Sequence, residues 1–286
     1  MLRTMLILEV SFAFATAIAG AADTAPTRTT LSAAEIVDKN IAARGGLQTW
    51  RAVHTLSEQG QMGVGGNQRA TLQVPISTRD AKSPIAARPK EEYQLPFVRY
   101  LERPRKSRVE LKFKGQTAVQ VYDGTNGWKL RPYLNRLGVE PYSQDELSLA
   151  SMQTDLDGPL IDYASKGIEV ALEGMEKVEE RDCYKVKLTM RGGRSLHVWI
   201  DAQNYLEAKI EGQPRRLDGI EHQVEVYYRD YRLVSGLQIP FVIDTKVLSA
   251  RTTALGFKDP PVPAERITID KVVVNPQLDA SLFARP

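Results

Sequence analysis

From Val53 onward, apolar and polar residues alternate in short runs separated by turn-forming pairs. Val109, Leu111 and Phe113 alternate with Arg108, Glu110, Lys112 and Lys114. Tyr184, Val186, Leu188 and Met190 alternate with Lys185, Lys187 and Thr189, and Leu206, Ala208 and Ile210 with Glu207, Lys209 and Glu211. His222, Val224, Val226 and Tyr228 alternate with Glu221, Gln223, Glu225 and Arg229. A period of two describes a strand with one apolar and one wet face. Between the runs stand Lys114-Gly115, Asp123-Gly124, Asn126-Gly127, Gly192-Gly193 and Ser235-Gly236, pairs suited to tight turns. The pattern predicts a mainly β chain built as an antiparallel sheet, sandwich or barrel. Its apolar faces must meet each other, pack on helices or surround a ligand.

Two segments show helical spacing. Ser32-Ala33-Ala34-Glu35 has the form of a capping box, and Ala33, Ile36, Val37 and Ile41 then fall on one stripe that ends at Gly45-Gly46. Ser143-Gln144-Asp145-Glu146 opens a second helical segment over 143–166, with Leu149, Met152, Leu156 and Leu160 on its apolar stripe. Gly158-Pro159 is expected to break it into two short helices. Residues 75–90, with three prolines and mixed charge, have the composition of a long loop between strands.

The opening residues change the domain plan. Arg3 precedes an apolar run from Met5 to Ile18, interrupted by Glu9, and the run ends at Ala19-Gly20-Ala21. This order predicts a secretory signal peptide over 1–21, cleaved after Ala21. A disordered stub over 22–30 and a single domain over 31–286 would follow. The run is too short to span about 30 Å of hydrocarbon comfortably. No cysteine near residue 21 offers a site for lipid attachment, so the expected location is free in the periplasm.

A hydrophobic content of 42% supports a proper core, and a formal charge of +3 gives no strong pull toward nucleic acid. Cys183, the only cysteine, is expected to behave as a small buried apolar residue. His54, His197 and His222 are scattered, without the spacing of a metal site, so no metal or other cofactor is expected. No Gly-x-Ser-x-Gly elbow or activated nucleophile is present, and no specific carboxylate pair stands out. Met62-Gly63-Val64-Gly65-Gly66 lacks the Lys-Ser or Lys-Thr of a phosphate loop and suggests a hairpin turn. Arg103, Arg105, Lys106 and Arg108 suggest a solvated strand edge.

The stretch from Tyr100 to Leu111 with Arg103-Pro104 inside it, followed by Val121-Tyr122-Asp123-Gly124 and Asn126-Gly127-Trp128, resembles the most recognisable part of the LolA family. Similar pieces are the opening helix with Ala42-Ala43-Arg44-Gly45-Gly46, the strand Val198-Trp199-Ile200-Asp201-Ala202, and the run from Tyr231 to Phe241. The closing stretch from Asn275 to Phe283 resembles the family's C-terminal turn. The chain departs from the family in its length and in the insertion at 75–90.

The resemblance implies a half-open antiparallel barrel of about ten strands around an apolar cavity, with short helices as plug or lid. It implies a non-enzymatic periplasmic carrier of lipoprotein or lipid acyl chains, acting as a monomer between donor and acceptor proteins in the envelope membranes. Val109, Leu111, Phe113, Val121, Trp128, Leu188, Val224 and Val226 would line the cavity. Leu149, Met152 and Leu156 would form the lid, and Arg103 would bond to the lid helices. Two other classes remain open: an envelope-sensing scaffold using the same sheet, and an envelope hydrolase.

Overall fold

A computed structural model describes residues 31–65, 92–132, 136–153, 155–217, 220–248 and 264–286. The expected signal peptide at 1–21, the stub at 22–30 and the insertion at 75–90 lie outside the described residues. Ser32–Pro286 gathers into one compact unit.

Helix α1 spans Ala33–Ala43, and its capping box forms as expected: Ser32 Oγ accepts from the Glu35 backbone N–H at 3.2 Å, while Glu35 accepts from the Ser32 N–H at 2.8 Å. Ile36, Val37 and Ile41 are buried along its inner stripe. Burying such side chains stabilises by about 1.5–3 kcal/mol each. A short helix α2, Leu47–Arg51, follows at once and buries Trp50.

The strands are β1 (Thr55–Gly65), β2 (Glu92–Glu102), β3 (Lys106–Phe113), β4 (Gln116–Tyr122), β5 (Gly127–Arg131) and β6 (Arg136–Pro141). After helix α3 (Gln144–Gln153) come β7 (Glu169–Val178), β8 (Arg181–Thr189), β9 (Ser195–Asp201), β10 (Glu207–Glu211), β11 (Arg215–Leu217) and β12 (Ile220–His222). Then follow β13 (Val224–Val234), β14 (Leu237–Val247) and β15 (Glu265–Val274). Thirteen of these form one antiparallel sheet in the order β6-β5-β4-β3-β2-β1-β15-β14-β13-β10-β9-β8-β7, while β11 and β12 pair separately. The sheet is open, with β6 and β7 at its ends, and it holds thirteen strands where about ten were expected.

Three sequence expectations shift. Met62 to Gly65 continue strand β1 instead of turning, with Met62 opposite Leu95. Residues 155–167 do not form a second helix; they run in successive turns with Gly158, Asp162 and Gly167 at positive φ, which stops helical propagation. The basic cluster sits in the β2–β3 turn (Arg103, Arg105) and on interior strand β3 (Lys106, Arg108), not on a sheet edge, and each member meets a carboxylate: Arg103 with Asp157, Arg105 with Asp155, Lys106 with Glu102 and Arg108 with Glu110.

Register assigns every side chain to one of two faces. Leu56↔Leu101, Gly60↔Phe97 and Phe97↔Leu111 put one set together, and Met62↔Ile267, Ile267↔Ile243 and Ile243↔Tyr228 carry the same face across the sheet. Val226↔Ile210, Ile210↔Val198 and Val198↔Val186 complete it. Arg44, at the end of α1, donates to Glu207, which pairs with Ile200 two residues along β9 from Val198, so α1 lies against this side, here called the helix face. The other side is the back face. A bulge at Gly60 shifts the β1–β15 register, and a Cβ there would stand 2.0 Å from the Thr268 carbonyl oxygen. Only glycine permits that approach.

Candidate functional site

The helix face carries two groups of apolar side chains. Leu237, Ile239, Phe241, Leu188, Val186 and Val198 are buried. Farther along the same face, Leu111, Phe113, Met62, Ile267, Ile243 and Val226 are only half-buried. Those six come from five strands, β3, β1, β15, β14 and β13, and register joins them into one apolar band.

The expected cavity wall divides. Val109, Leu111, Phe113, Leu188, Val224 and Val226 do share the helix face. Val121 and Trp128 do not: Arg108↔Val121 and Val121↔Trp128 place both on the back face. There Val121 is wholly buried with Val119 and Phe283, against which Trp128, Tyr100 and Leu282 pack. Alternation fixes which residues of one strand share a face, but the register between strands decides which face that is. The C-terminal 3-10 turn Ala280–Phe283 closes this second core, its Leu282 carbonyl accepting from Arg108 Nη1 at 2.9 Å.

Of the residues expected in the lid, Leu149 is exposed, Leu156 half-buried, and Met152 lies in the same helix α3 as Leu149. Helix α3 is capped by Ser143, which accepts from the Glu146 N–H at 3.2 Å, and Glu146 pairs with Lys129 of β5.

The turns of 155–167 are tied down more firmly. Asp157, 3% exposed at its side chain, accepts from Arg103 Nη2 through Oδ2 at 2.6 Å and from Lys166 Nζ through Oδ1 at 2.6 Å. Its backbone carbonyl accepts from Arg44 Nη1 at 3.0 Å, and the same Nη1 donates to Glu207 Oε1 at 3.1 Å. Arg103 also donates to the Val53 carbonyl at 2.7 Å and the Trp50 carbonyl at 3.2 Å, so it joins β2, α2 and the turns. Glu207 further accepts from the Tyr231 hydroxyl at 3.3 Å.

Sequence reasoning missed the ionic pair inside the apolar band's own strands. Glu58 and Arg99 stand directly opposite on β1 and β2, both on the helix face, and Arg99 Nε donates to Glu58 Oε2 at 2.6 Å. Nearby Tyr228 is half-buried, and burial pushes its phenol up to about 12, with the negative charge of Glu207 adding to the shift. The signal was present: Leu95, Phe97 and Leu101 keep an apolar phase that Arg99 breaks, and Glu58 breaks the phase of Leu56 and Met62.

Other candidate groups have structural partners. His222 is buried with Nδ1 3.0 Å from the Leu248 carbonyl oxygen. On the back face His197 stands between Glu173, 3.0 Å from Nε2, and Glu211, 2.9 Å from Nδ1. Cys183 is buried, and burial pushes its thiol up to about 11. A cleft of about 240 Å³ opens on the back face, where Gln59, Gln61, Glu110, Lys112 and Asp270 line it. Polar walls and small size make it unsuited to an alkyl tail.

No family model matches the chain, and no curated protein matches it. Solved structures do. A LolA superfamily protein from Nitrosomonas europaea superposes with a TM-score of 0.51 at 12% identity, over 89% of this chain and 98% of that one. A domain named for outer-membrane lipoprotein sorting, from Vibrio parahaemolyticus, gives 0.50 at 12% identity, over 87% and 95%. A DUF1329 family protein from Desulfovibrio piger gives 0.50 at 13% identity, over 89% and 98%. Coverage is nearly complete on the relatives' side, and identities this low speak to architecture alone. The described chain has the LolA-like fold: one open antiparallel sheet with short helices against a single face.

Proposed function

We propose that the protein is a carrier that holds the acyl chains of lipoproteins or lipids against the helix face and moves them between envelope membranes without catalysis. The observation that carries this reading is the band of half-buried apolar side chains contributed by five strands of that face. A soluble domain gains by covering such a band, and each CH₂ removed from water contributes about 0.8 kcal/mol. The Vibrio parahaemolyticus structure of this fold, which is named for outer-membrane lipoprotein sorting, supports the same reading. The 155–167 turns, fixed through Asp157 and Arg103, act as the lid that must yield for loading. Export through residues 1–21 would place the protein in the periplasm, acting as a monomer with membrane-embedded donor and acceptor proteins.

Titration with a fluorescent fatty-acyl probe tests the proposal. Saturable binding at a one-to-one ratio, abolished by Leu111→Glu in a folded variant, is the expected result. Absence of saturable binding would leave the scaffold reading in its place.

A further inference from the structure

Beside the apolar band, on the same face, Glu58 and Arg99 form an ion pair that leaves part of its hydrogen-bonding capacity unused. On strands β1, β2, β3 and β15 the helix face is otherwise apolar around Glu58 and Arg99: Leu56 and Leu101 lie to one side, Gly60 and Phe97 to the other, Val109 and Val272 across the neighbouring strands. Glu58 is 5% exposed at its side chain, whereas Arg99 is 36% exposed. Arg99 directs both Nε and Nη2 at the same carboxylate oxygen, Oε2. Among the described residues, Arg99 Nη1 and Glu58 Oε1 therefore have no hydrogen-bond partner.

Stability gives little reason for this pair. A buried ion pair is often no better for folding than apolar residues of similar volume, because desolvation cancels the attraction. Its charges also cancel each other. An anionic head arriving at Arg99 would meet the carboxylate of Glu58, so net attraction for an anion is absent. What the site offers is one donor, Nη1, beside one acceptor, Oε1.

Resting on the carrier reading, we infer that Glu58 and Arg99 form a head-group subsite for an uncharged acyl ester or amide bearing a hydroxyl or N–H. The carbonyl oxygen accepts from Arg99 Nη1, the hydroxyl or N–H donates to Glu58, and the alkyl tail lies along the apolar band. This sets the depth at which a tail sits and favours glycerol esters and N-acyl groups over bare fatty-acid anions.

The test displaces a bound apolar fluorophore, N-phenyl-1-naphthylamine, with three ligands of equal tail length: monopalmitoylglycerol, 1-bromohexadecane and palmitate. Replacing both partners, Glu58→Leu with Arg99→Leu, removes the pair without stranding a charge. In that variant monopalmitoylglycerol is expected to weaken about tenfold, the loss of one hydrogen bond to a charged group, while 1-bromohexadecane changes less than twofold. Parallel shifts for both uncharged ligands, or no shift for either, would overturn the subsite. A tenfold loss for palmitate without one for monopalmitoylglycerol would overturn the uncharged-head assignment. If none of the three displaces the fluorophore from the unaltered protein, the carrier reading itself fails, and this inference with it.

Discussion

Arg103 and Asp157 meet across the fold, with Nη2 of the arginine donating to Oδ2 of the aspartate at 2.6 Å. The arginine belongs to the β2–β3 turn, and the aspartate to the turns that lie against the helix face. Lys166 takes the other carboxylate oxygen and Arg44 the backbone carbonyl, so one residue gathers three cations from three parts of the chain. Asp157→Asn should therefore loosen the whole segment. Arg103 is about a third exposed, so the expected loss is discounted to about 1–3 kcal/mol rather than the larger value of a fully buried pair. Hydrogen exchange should report faster opening of 155–167 than of β8 and β9; uniform exchange across both would argue against a local latch.

Face assignment predicts opposite outcomes for two residues once expected to share a wall. Val121→Ala, in the closed back-face core, should lower stability by about 2 kcal/mol and leave acyl binding unchanged. Leu111→Ala, half-buried on the helix face, should cost little stability and weaken acyl binding several-fold. Denaturant midpoints and probe titration on both variants measure the contrast.

Acid should destabilise the sheet through its back face. Hydrogen bonding from Arg266, and then from Arg229, holds the Asp244 carboxyl below its ordinary value of 3.8. Lys185 does the same for Glu176, and Arg229 for Glu179, below 4.5. Groups whose folded values are depressed bind more protons in the unfolded chain, so their stabilisation is present above the ordinary values and is lost as pH falls through the lowered ones. The urea midpoint should be flat from neutrality to about pH 5 and fall steeply below 4. In Asp244→Asn the acid limb should become shallower.

A tight turn without glycine offers a stabilising substitution. Glu179 and Glu180 join β7 to β8 with φ of 48° and 67°, where the equivalent turns end in Gly115 and Gly236 at 76° and 83°. A left-handed side chain costs about 1–2 kcal/mol, partly offset by the extra freedom glycine brings to the unfolded chain. Glu180→Gly should raise stability by about 0.5–1 kcal/mol, read as a higher Tm. Glu179 is left in place because it pairs with Arg229.

Much of this architecture is legible in local sequence because local physics decides it. The capping boxes at Ser32 and Ser143 depend on residues three apart, and the turns at Lys114-Gly115 and Ser235-Gly236 on backbone freedom at two positions. Strand alternation at Val109–Phe113 and Tyr184–Leu188 likewise reflects one strand at a time. What was not legible depends on partners far along the chain. Val121 and Trp128 have the right composition for a cavity wall, yet their pairing with Arg108 and with each other turns them toward Phe283. The Glu179-Glu180 turn has no glycine to announce it, and α2 is too short to show a period. The 155–167 segment has helical spacing, but its shape is set by Arg44, Arg103 and Lys166 reaching Asp157. Glu58 and Arg99 were visible only as breaks in an apolar phase, and their meaning required knowing that β1 and β2 bring them face to face.

The most direct test of the account is photocrosslinking with a palmitoyl chain carrying a terminal diazirine, followed by peptide mapping. Labelling should concentrate on the helix-face band, at Leu111, Phe113, Met62, Ile243 and Val226, and should disappear on competition with unlabelled acyl ligand. Labelling confined to the back face, around Gln61, Lys112 and Glu110, or labelling that no competitor removes, would contradict it.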